Sequence, residues 1–375
     1  MRIAVNTRML LSGKMEGIGN FTFETLQRIT RQHTEHEFVF IFDRKFNSEF
    51  VFSNNVTPVY ISPPARHPFL WHIWYEWSLP HLFRKIKPDL FIGTDGYLSL
   101  SSNVPSIAVI HDLNFEHYPM DLPYFNRLYY RHYFPKYTQQ ANRIVAVSEF
   151  TKNDIVKTYK INSNKIDVVY NGAGENFKPI NENEAQSIRD IHSKSKPYFL
   201  FVGALHQRKN IVNLLKAFDD FKKTISSPMQ LMLTGQKRWW TSEMEKVYNA
   251  MLYKDEVIFT GRVSEFILQK ITASAFAITY VSTFEGFGIP IIEAMRCNVP
   301  VITSNVTSMP EIAGNAALLC DPFSYLSIRD AMVKIYSDQA LRNLLIEKGS
   351  RRQSFFSWNK SSDELWQCIE KIIIE

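Results

Sequence analysis

The sequence predicts an α/β protein built from two parallel, doubly wound sheets. Three observations lead there. Short apolar runs alternate with longer amphipathic stretches along all 375 residues, the pattern of parallel strands covered by helices on both faces. A polar, turn-rich stretch near the middle divides that alternation in two. The length suits two domains at roughly 150 residues each.

In the first half the apolar runs predict strands over 3–5, 38–42, 56–61, 90–92, 107–110 and 144–147. Amphipathic stretches between them predict helices over 20–31, 71–85, 124–139 and 149–159. In the second half the strands fall over 198–202, 230–233, 257–259, 275–280, 299–302 and 316–319. Helices follow over 211–222, 241–252, 265–273, 290–296 and 327–336. Asn171-Gly172-Ala173-Gly174 is turn-rich and 181–195 is mostly polar, so the boundary is placed here, with domains over 1–175 and 176–354. The tail over 355–375 reads as an amphipathic helix carrying Phe355, Phe356, Trp358, Leu365 and Trp366. It lies beyond the last strand and must pack on something already built. Two doubly wound domains in one chain form a cleft that the carboxyl ends of their strands can face.

Composition narrows the function classes. Hydrophobic residues make up 45% and charged residues 21%, near globular averages, which excludes disorder and coiled coil for most of the chain. The 3 cysteines, Cys297, Cys320 and Cys368, are scattered without CxxC spacing. That excludes a disulfide framework and a cysteine zinc site, and favours a reducing compartment. The net charge of +6 suits anionic ligands or an anionic membrane surface, and is too diffuse to single out nucleic acid. The chain opens on a short buried strand rather than a signal-peptide core, and no run of about 18 apolar residues predicts a spanning helix. A cytoplasmic protein is expected, with the inner face of the membrane as its alternative address.

Four segments carry chemistry. Phe284-Glu285-Gly286-Phe287-Gly288-Ile289-Pro290-Ile291-Ile292-Glu293 follows an apolar run. Pro290 fits a first helical turn, where its missing N–H is unpaired anyway. Gly286 and Gly288 permit a tight backbone whose amides, at a helix start, suit a pyrophosphate. Glu285 and Glu293 bracket that loop, with Glu293 expected on the first turn, so each can reach one end of a ligand lying between them. The bland alternative is a turn whose glutamate only complements the helix dipole.

The second segment is Gly203-Ala204-Leu205-His206-Gln207-Arg208-Lys209-Asn210, between a strand and a helix. Gly203 lets a ligand approach the backbone closely. Arg208 and Lys209 place two cations there, enough to neutralise a diphosphate leaving group without a metal; alone, they would read as a solvated pair. In the first half, Gly17-Ile18-Gly19-Asn20 opens a helix, but Thr22 replaces the third glycine of a dinucleotide fingerprint and a loop of about ten residues intervenes, so a loop touching a phosphate or an acceptor is the better reading. His111-Asp112 closes the strand over 107–110, where a polar pair points into the ligand crevice. His111 would bind a sugar hydroxyl and Asp112 would orient it. The histidines show no HExxH spacing, so no metal is expected.

Together these segments resemble the retaining glycosyltransferases of family 4, also called group 1, over nearly the whole chain. The resemblance rests on Gly17 and Gly19, His111-Asp112, Val147-Ser148-Glu149-Phe150-Thr151, Asn171-Gly172, Gly203 through Asn210, Glu285 through Glu293, Pro300-Val301-Ile302 and Pro310-Glu311-Ile312-Ala313-Gly314. It implies a GT-B architecture, two Rossmann-like domains around a central cleft, with the last helix crossing back to the first domain. It implies a nucleotide-sugar donor on the second domain: Lys209 and Arg208 on the diphosphate, Glu293 on the ribose, Glu285 on the transferred sugar, and the amides of Gly286, Phe287 and Gly288 lining its pocket. His111 would touch the sugar from the first domain. Ala204 stands where many members have arginine, and Arg208 would substitute.

The family implies transfer of a hexosyl group with retention and without a cofactor, to a saccharide or lipid-linked acceptor, in cell-surface polysaccharide synthesis. GDP-mannose is the first expectation for the donor and a UDP-sugar the second. The alternatives weighed are another GT-B enzyme, such as a nucleotide-sugar epimerase or a phosphorylase, and a non-catalytic nucleotide-sugar-binding module. The cluster over 67–77, with three tryptophans and followed by Arg84-Lys85-Ile86-Lys87, reads first as a core helix and second as a face at a bilayer interface.

Overall fold

The computed structural model describes residues 1–374; the expected helix end at Glu375 lies outside them. The chain forms two units. The first is Met1–Gly172 together with the segment from Ser357 onward, and the second is Ala173–Phe356.

The first unit is built on seven parallel strands: β1 (Arg2–Asn6), β2 (Glu37–Phe42), β3 (Val56–Tyr60), β4 (Leu90–Gly93), β5 (Ser106–Ile110), β6 (Arg143–Ala146) and β7 (Ile166–Val168), in the order β3-β2-β1-β4-β5-β6-β7. Val5 pairs with Phe40 on one side and Ile92 on the other. The order therefore reverses at β1, and the segments after β1 and β4 meet. Arg8 Nε donates to Asp95 Oδ2 at 2.5 Å, and Asn6 Nδ2 donates to Asp95 Oδ1 at 2.8 Å. Ile3, Ala4 and Val5 have no exposed surface, as strands covered on both faces require.

One aromatic core of this unit gathers Trp71, Trp74, Tyr75, Tyr97, Tyr129, Phe134 and Tyr137. Trp71 stacks on Tyr130 at 5.6 Å, so the helix Pro68–Ile73 packs against the helix Tyr124–Gln140. The expected single helix over 71–85 is interrupted: a π turn, Trp74–Ser78, separates Pro68–Ile73 from Leu79–Ile86. Pro80 has no N–H for a carbonyl one turn back, and the widened turn lies just before it. The core reading holds for Trp71, Trp74 and Tyr75, whereas Phe69 and Trp77 are exposed.

The last helix, Trp358–Ile374, packs on the helix Gly17–Gln32 of the first unit. Trp366 stacks on His33 at 3.6 Å, Arg28 Nε donates to Asn359 Oδ1 at 2.7 Å, and Lys371 Nζ donates to Asp167 Oδ1 at 2.6 Å. Phe355 and Phe356, expected at the start of this helix, belong to the second unit, where Phe356 packs on Phe287 at 5.8 Å.

The second unit has six parallel strands: β8 (Tyr198–Val202), β9 (Gln230–Thr234), β10 (Val257–Gly261), β11 (Ala277–Tyr280), β12 (Val301–Ser304) and β13 (Leu318–Cys320), ordered β10-β9-β8-β11-β12-β13. Its reversal lies between β8 and β11. The polar stretch over 181–195 is not a linker but the helix Glu182–Ser193, which lies in this unit. Asn181 caps it by accepting from Glu184 N at 2.9 Å, and only Ala185, Ile188 and Ser193 are buried, too few to write an amphipathic pattern. The strand expected over 299–302 begins at Val301, after Pro300, which has no N–H for a ladder.

Gly172 sits directly against the start of the last helix. A Cβ there would lie 2.4 Å from Trp358 N. Gly172→Ala should cost about 1–3 kcal/mol through overpacking and should raise amide exchange across 358–372. Hydrogen-exchange mass spectrometry that finds this helix as protected as in the wild type would contradict that packing.

Candidate functional site

Ligands of open α/β sheets bind where the strand order reverses, beyond the carboxyl ends. In the second unit that point is served by the loops after β8 and β11. After β8, Gly203 N donates to Thr234 O at 2.9 Å. Its own carbonyl runs so close to Gly235 that a Cβ there would lie 1.8 Å from the oxygen. Glycine at 235 is therefore a steric requirement of the loop. His206 Nδ1 then accepts from Arg208 N and caps a single 3₁₀ turn, Gln207–Lys209. Asn210 follows at φ 62°, a left-handed conformation that asparagine tolerates well. Its side-chain amide donates to Val281 O at 3.0 Å and Pro322 O at 2.7 Å, stapling three loops together.

After β11 the chain is clamped from two sides. Thr283 N donates to Arg208 O at 2.9 Å. Ser304 Oγ donates to Ser282 O at 2.6 Å, and Ser308 Oγ donates to Glu285 O at 2.9 Å and Phe287 O at 3.0 Å. Gly288 stands at φ 106°, where a side chain would be strained, and caps the helix Ile289–Arg296 with Pro290 in its first turn. Gly286, Phe287 and Gly288 are all buried.

This frame brings three charges together. Lys209 Nζ donates to Glu285 Oε1 at 2.5 Å and to Tyr280 OH at 2.7 Å. Arg208 donates to Glu285 Oε2 at 2.9 Å and to Phe284 O at 3.2 Å. Glu285 is 6% exposed and Lys209 9%. Burial alone would raise the Glu285 carboxyl, but Arg208 and Lys209 outweigh it and hold it down to about 2. The carboxylate stays ionised, and the triad keeps one net positive charge at the carboxyl edge of the sheet.

Glu293 differs. It lies on the second turn of Ile289–Arg296, not the first, because Ile289 begins the helix. It is half-buried, and its carboxyl accepts no hydrogen bond from the described residues. Burial, and then the nearby Glu265, push its carboxyl up to about 8. It is an acceptor without a donor, suited to the hydroxyl groups of a ligand.

In the first unit, His111 Nε2 donates to Thr94 O at 2.9 Å, and burial holds the ring below its ordinary value. The imidazole is therefore neutral, with Nδ1 as its acceptor. The Thr94 carbonyl orients it, not Asp112 as expected. The Asp112 carboxylate instead accepts from Asn114 N at 3.0 Å, one residue into a short helical turn. Gly17, Gly19 and Asn20 lie within the first turn of Gly17–Gln32 rather than in a loop before it. Gly19 is the tight one, since a Cβ would lie 2.7 Å from Met9 O, while Gly17 has open space.

Sequence reasoning missed Tyr280, Gly235, Ser304 and Ser308. Gly235 repeats a legible signal, a glycine directly after a strand, as at Gly203. Tyr280 ends an apolar run and reads there as core. The serines act on backbone oxygens and leave no signature.

Comparison with known proteins gives the family and the fold. The model of Glycosyltransferase Family 4 matches residues 15–174 and that of Glycosyl transferases group 1 matches residues 183–352. The chain is 26% identical over 289 residues to O-antigen chain mannosyltransferase B of Escherichia coli, covering 77% of this chain and 74% of the relative. It is 30% identical over 270 residues to O-antigen chain mannosyltransferase RfbU of Salmonella typhimurium, covering 72% and 71%. Among solved structures it superposes on Anabaena HepE in complex with UDP and glucose with a TM-score of 0.76 at 15% identity, over 99% of this chain and 100% of that one. The shared fold is GT-B.

Two measurements follow from the charges. A carboxyl raised from 4.5 to about 8 costs the fold nothing below its unfolded value and a growing amount as pH rises through that window. Glu293→Gln should therefore lose less thermal stability than the wild type between pH 5 and about 8, and parallel melting curves would refute the burial. Glu285 has the opposite sign: its stabilisation is present above 4.5 and lost as pH falls toward about 2.

Proposed function

The chain belongs to the glycosyltransferases of group 1 and family 4, and on that premise we propose that it moves a hexosyl group from a nucleotide-sugar to a saccharide or lipid-linked acceptor with retention of configuration. The observation that carries this reading is the gathering of Lys209 and Arg208 on one buried carboxylate, beside the Gly288-capped helix. That arrangement supplies cations and a helix start where a diphosphate would lie.

In this reading Lys209 and Arg208 hold the diphosphate and the loop through Gly203 lets it approach. Glu293 accepts the ribose hydroxyls, and Glu285 contacts the transferred sugar while fixing both cations. The amides of Gly286, Phe287 and Gly288 line the sugar pocket. His111 Nδ1 accepts a sugar hydroxyl, and Gly17, Gly19, Asn20 and Asp112 belong to the acceptor side. The bond from the anomeric carbon to the diphosphate breaks as the bond to the acceptor oxygen forms on the same face, and the acceptor proton passes to the leaving phosphate oxygen. The protein contributes position and charge stabilisation, and neutralisation of the leaving group rests on Lys209 and Arg208 rather than on a metal. GDP-mannose is the favoured donor, supported by two relatives named as mannosyltransferases. A UDP-sugar is the second choice, supported by the UDP and glucose bound in the Anabaena structure. The relatives' O-antigen names support a role in cell-surface polysaccharide synthesis.

Titration of GDP and UDP, then of their sugars, tests the pocket. One nucleotide should bind the wild type and bind Glu293→Ala far more weakly. Accepting two hydroxyls favours the ionised carboxylate, so binding at pH 7 should release a proton that Glu293→Gln does not release. Retention of full affinity in both variants would remove Glu293 from the site. Lys209→Ala should lower transfer by about a hundredfold or more, with melting curves confirming that the variant folds.

Tyr280→Phe tests the support of Lys209. It removes the 2.7 Å partner of Lys209 Nζ without changing the ring. The expected effect is a fall in kcat of roughly tenfold, one charged hydrogen bond, with little change in KM; an unchanged kcat would make Tyr280 core alone.

A further inference from the structure

The turn that holds His111 in place is itself held by a buried ion pair. Thr94, whose carbonyl accepts from His111 Nε2 at 2.9 Å, lies between the end of β4 and Asp95. Thr94 Oγ1 donates to Asn6 O at 2.7 Å, which ties the turn to the end of β1. Gly96 closes the turn by donating its N–H to Gly93 O at 3.1 Å, and it stands at φ 85°. A Cβ there would lie 3.0 Å from both Ile110 and Phe134, so the turn is pressed against β5. The Phe21 ring of the helix Gly17–Gln32 meets the imidazole edge to face at 5.3 Å.

Asp95 anchors that turn. Its carboxylate accepts from Arg8 Nε at 2.5 Å, Asn6 Nδ2 at 2.8 Å and Tyr97 N at 3.4 Å. Arg8 Nη1 donates to Ala65 O at 3.1 Å. The guanidinium stands 4.5 Å from the centre of the Tyr97 ring, 5.8 Å from Tyr75 and 5.9 Å from Trp71. Arg8 and Asp95 are both buried. Replacing such a pair by apolar residues of similar volume is often neutral or stabilising, so packing alone gives no reason to keep it. Its place beside His111 gives one. Among the described residues, the charges that bear on the His111 ring are those of Asp112 and Asp95. Each favours the protonated ring, and a protonated ring has no acceptor at Nδ1. Asp112 accepts from Asn114 N, whereas Asp95 has a full cation on its carboxylate.

We propose that Arg8 and Asp95 are positioning residues for His111: Asp95 fixes the turn whose carbonyl seats the imidazole, and Arg8 cancels the charge that this brings beside the ring. Nδ1 then stays open to a sugar hydroxyl. The proposal rests on the reading of His111 as a contact of the transferred sugar. Arg8 follows the end of β1 by two residues and Asp95 follows the end of β4 by two. The reversal of strand order at β1 sets these two strands side by side, and so brings the pair together.

NMR titration of the histidine-labelled full chain tests it, with His111→Asn identifying the His111 signal. In the wild type the ring nitrogens should show the neutral form protonated at Nε2, with a midpoint below the ordinary histidine value. Arg8→Met leaves the carboxylate bare and should move that midpoint up. Asp95→Asn leaves the guanidinium bare and should move it further down. Arg8→Met combined with Asp95→Asn, again without net charge, should return it toward the wild type, and Arg8→Lys should hold it there. Loosened packing would instead move both single variants up, toward the ordinary value. Movement of both in one direction therefore overturns the proposal, as does no movement in either. Melting curves show which variants fold, and Asp95→Asn with Arg8→Lys decides the matter if Arg8→Met does not. GDP release from GDP-mannose by the same preparations separates the two readings. Wild-type release by His111→Asn, with the midpoints shifted as expected, removes His111 from the sugar and leaves the pair as the setting of its ring.

Discussion

The Glu285 carboxylate, buried and shared between Lys209 and Arg208, is the interaction on which the sheet edge of the second unit depends. Desolvating three charges is expensive, and such a cluster survives only where geometry and extra hydrogen bonds compensate. Here they do. Tyr280 takes a second bond from Lys209, and Phe284 O takes one from Arg208. Thr283 N and Thr283 Oγ1 both donate to Arg208 O and tie the two loops directly. Removing one member would leave a buried charge under-compensated, at a cost of about 3–5 kcal/mol. The triad is thus a structural pin as well as a store of positive charge.

The two glutamates of the loop show how one residue type serves opposite ends. Glu285 is surrounded by cations and stays ionised far below neutral pH. Glu293, eight residues on, has no cation beside it among the described residues, and burial with Glu265 nearby keeps its proton near neutrality. Their environments, not their spacing, set them apart. A carboxyl with no donor among the described residues can take its hydrogen bonds from a ligand.

Much of this was legible in the sequence. Buried parallel strands are apolar throughout, so β8 was read to its exact ends, and the helices Glu149–Tyr159 and Glu265–Ala273 carried enough amphipathic signal to be bounded correctly. Glu285, Lys209 and Arg208 were found because charges beside glycines between a strand and a helix are a local pattern. What failed was non-local. The helix Glu182–Ser193 buries too little to announce itself. β7 is three residues long. The partner of His111 is a backbone carbonyl, at Thr94, which no side-chain pattern reveals. The support from Tyr280, Ser304 and Ser308 depends on sheet order, which brings β11 beside both β8 and β12.

The contact of Gly172 with Ser357 and Trp358 has a consequence for biosynthesis. The chain leaves the first unit and re-enters it at one spot, so the second unit is an insertion whose entry and exit touch. During translation, residues 173–356 emerge complete and can collapse on their own six-stranded sheet. The first unit, begun earlier, waits for the helix Trp358–Ile374 until the whole second unit has been made, with the ring faces of Phe21 and His33 that this helix covers open in the meantime. Of the two units, the one begun first is therefore completed after the other, and it is the one that a nascent-chain chaperone would have more reason to guard.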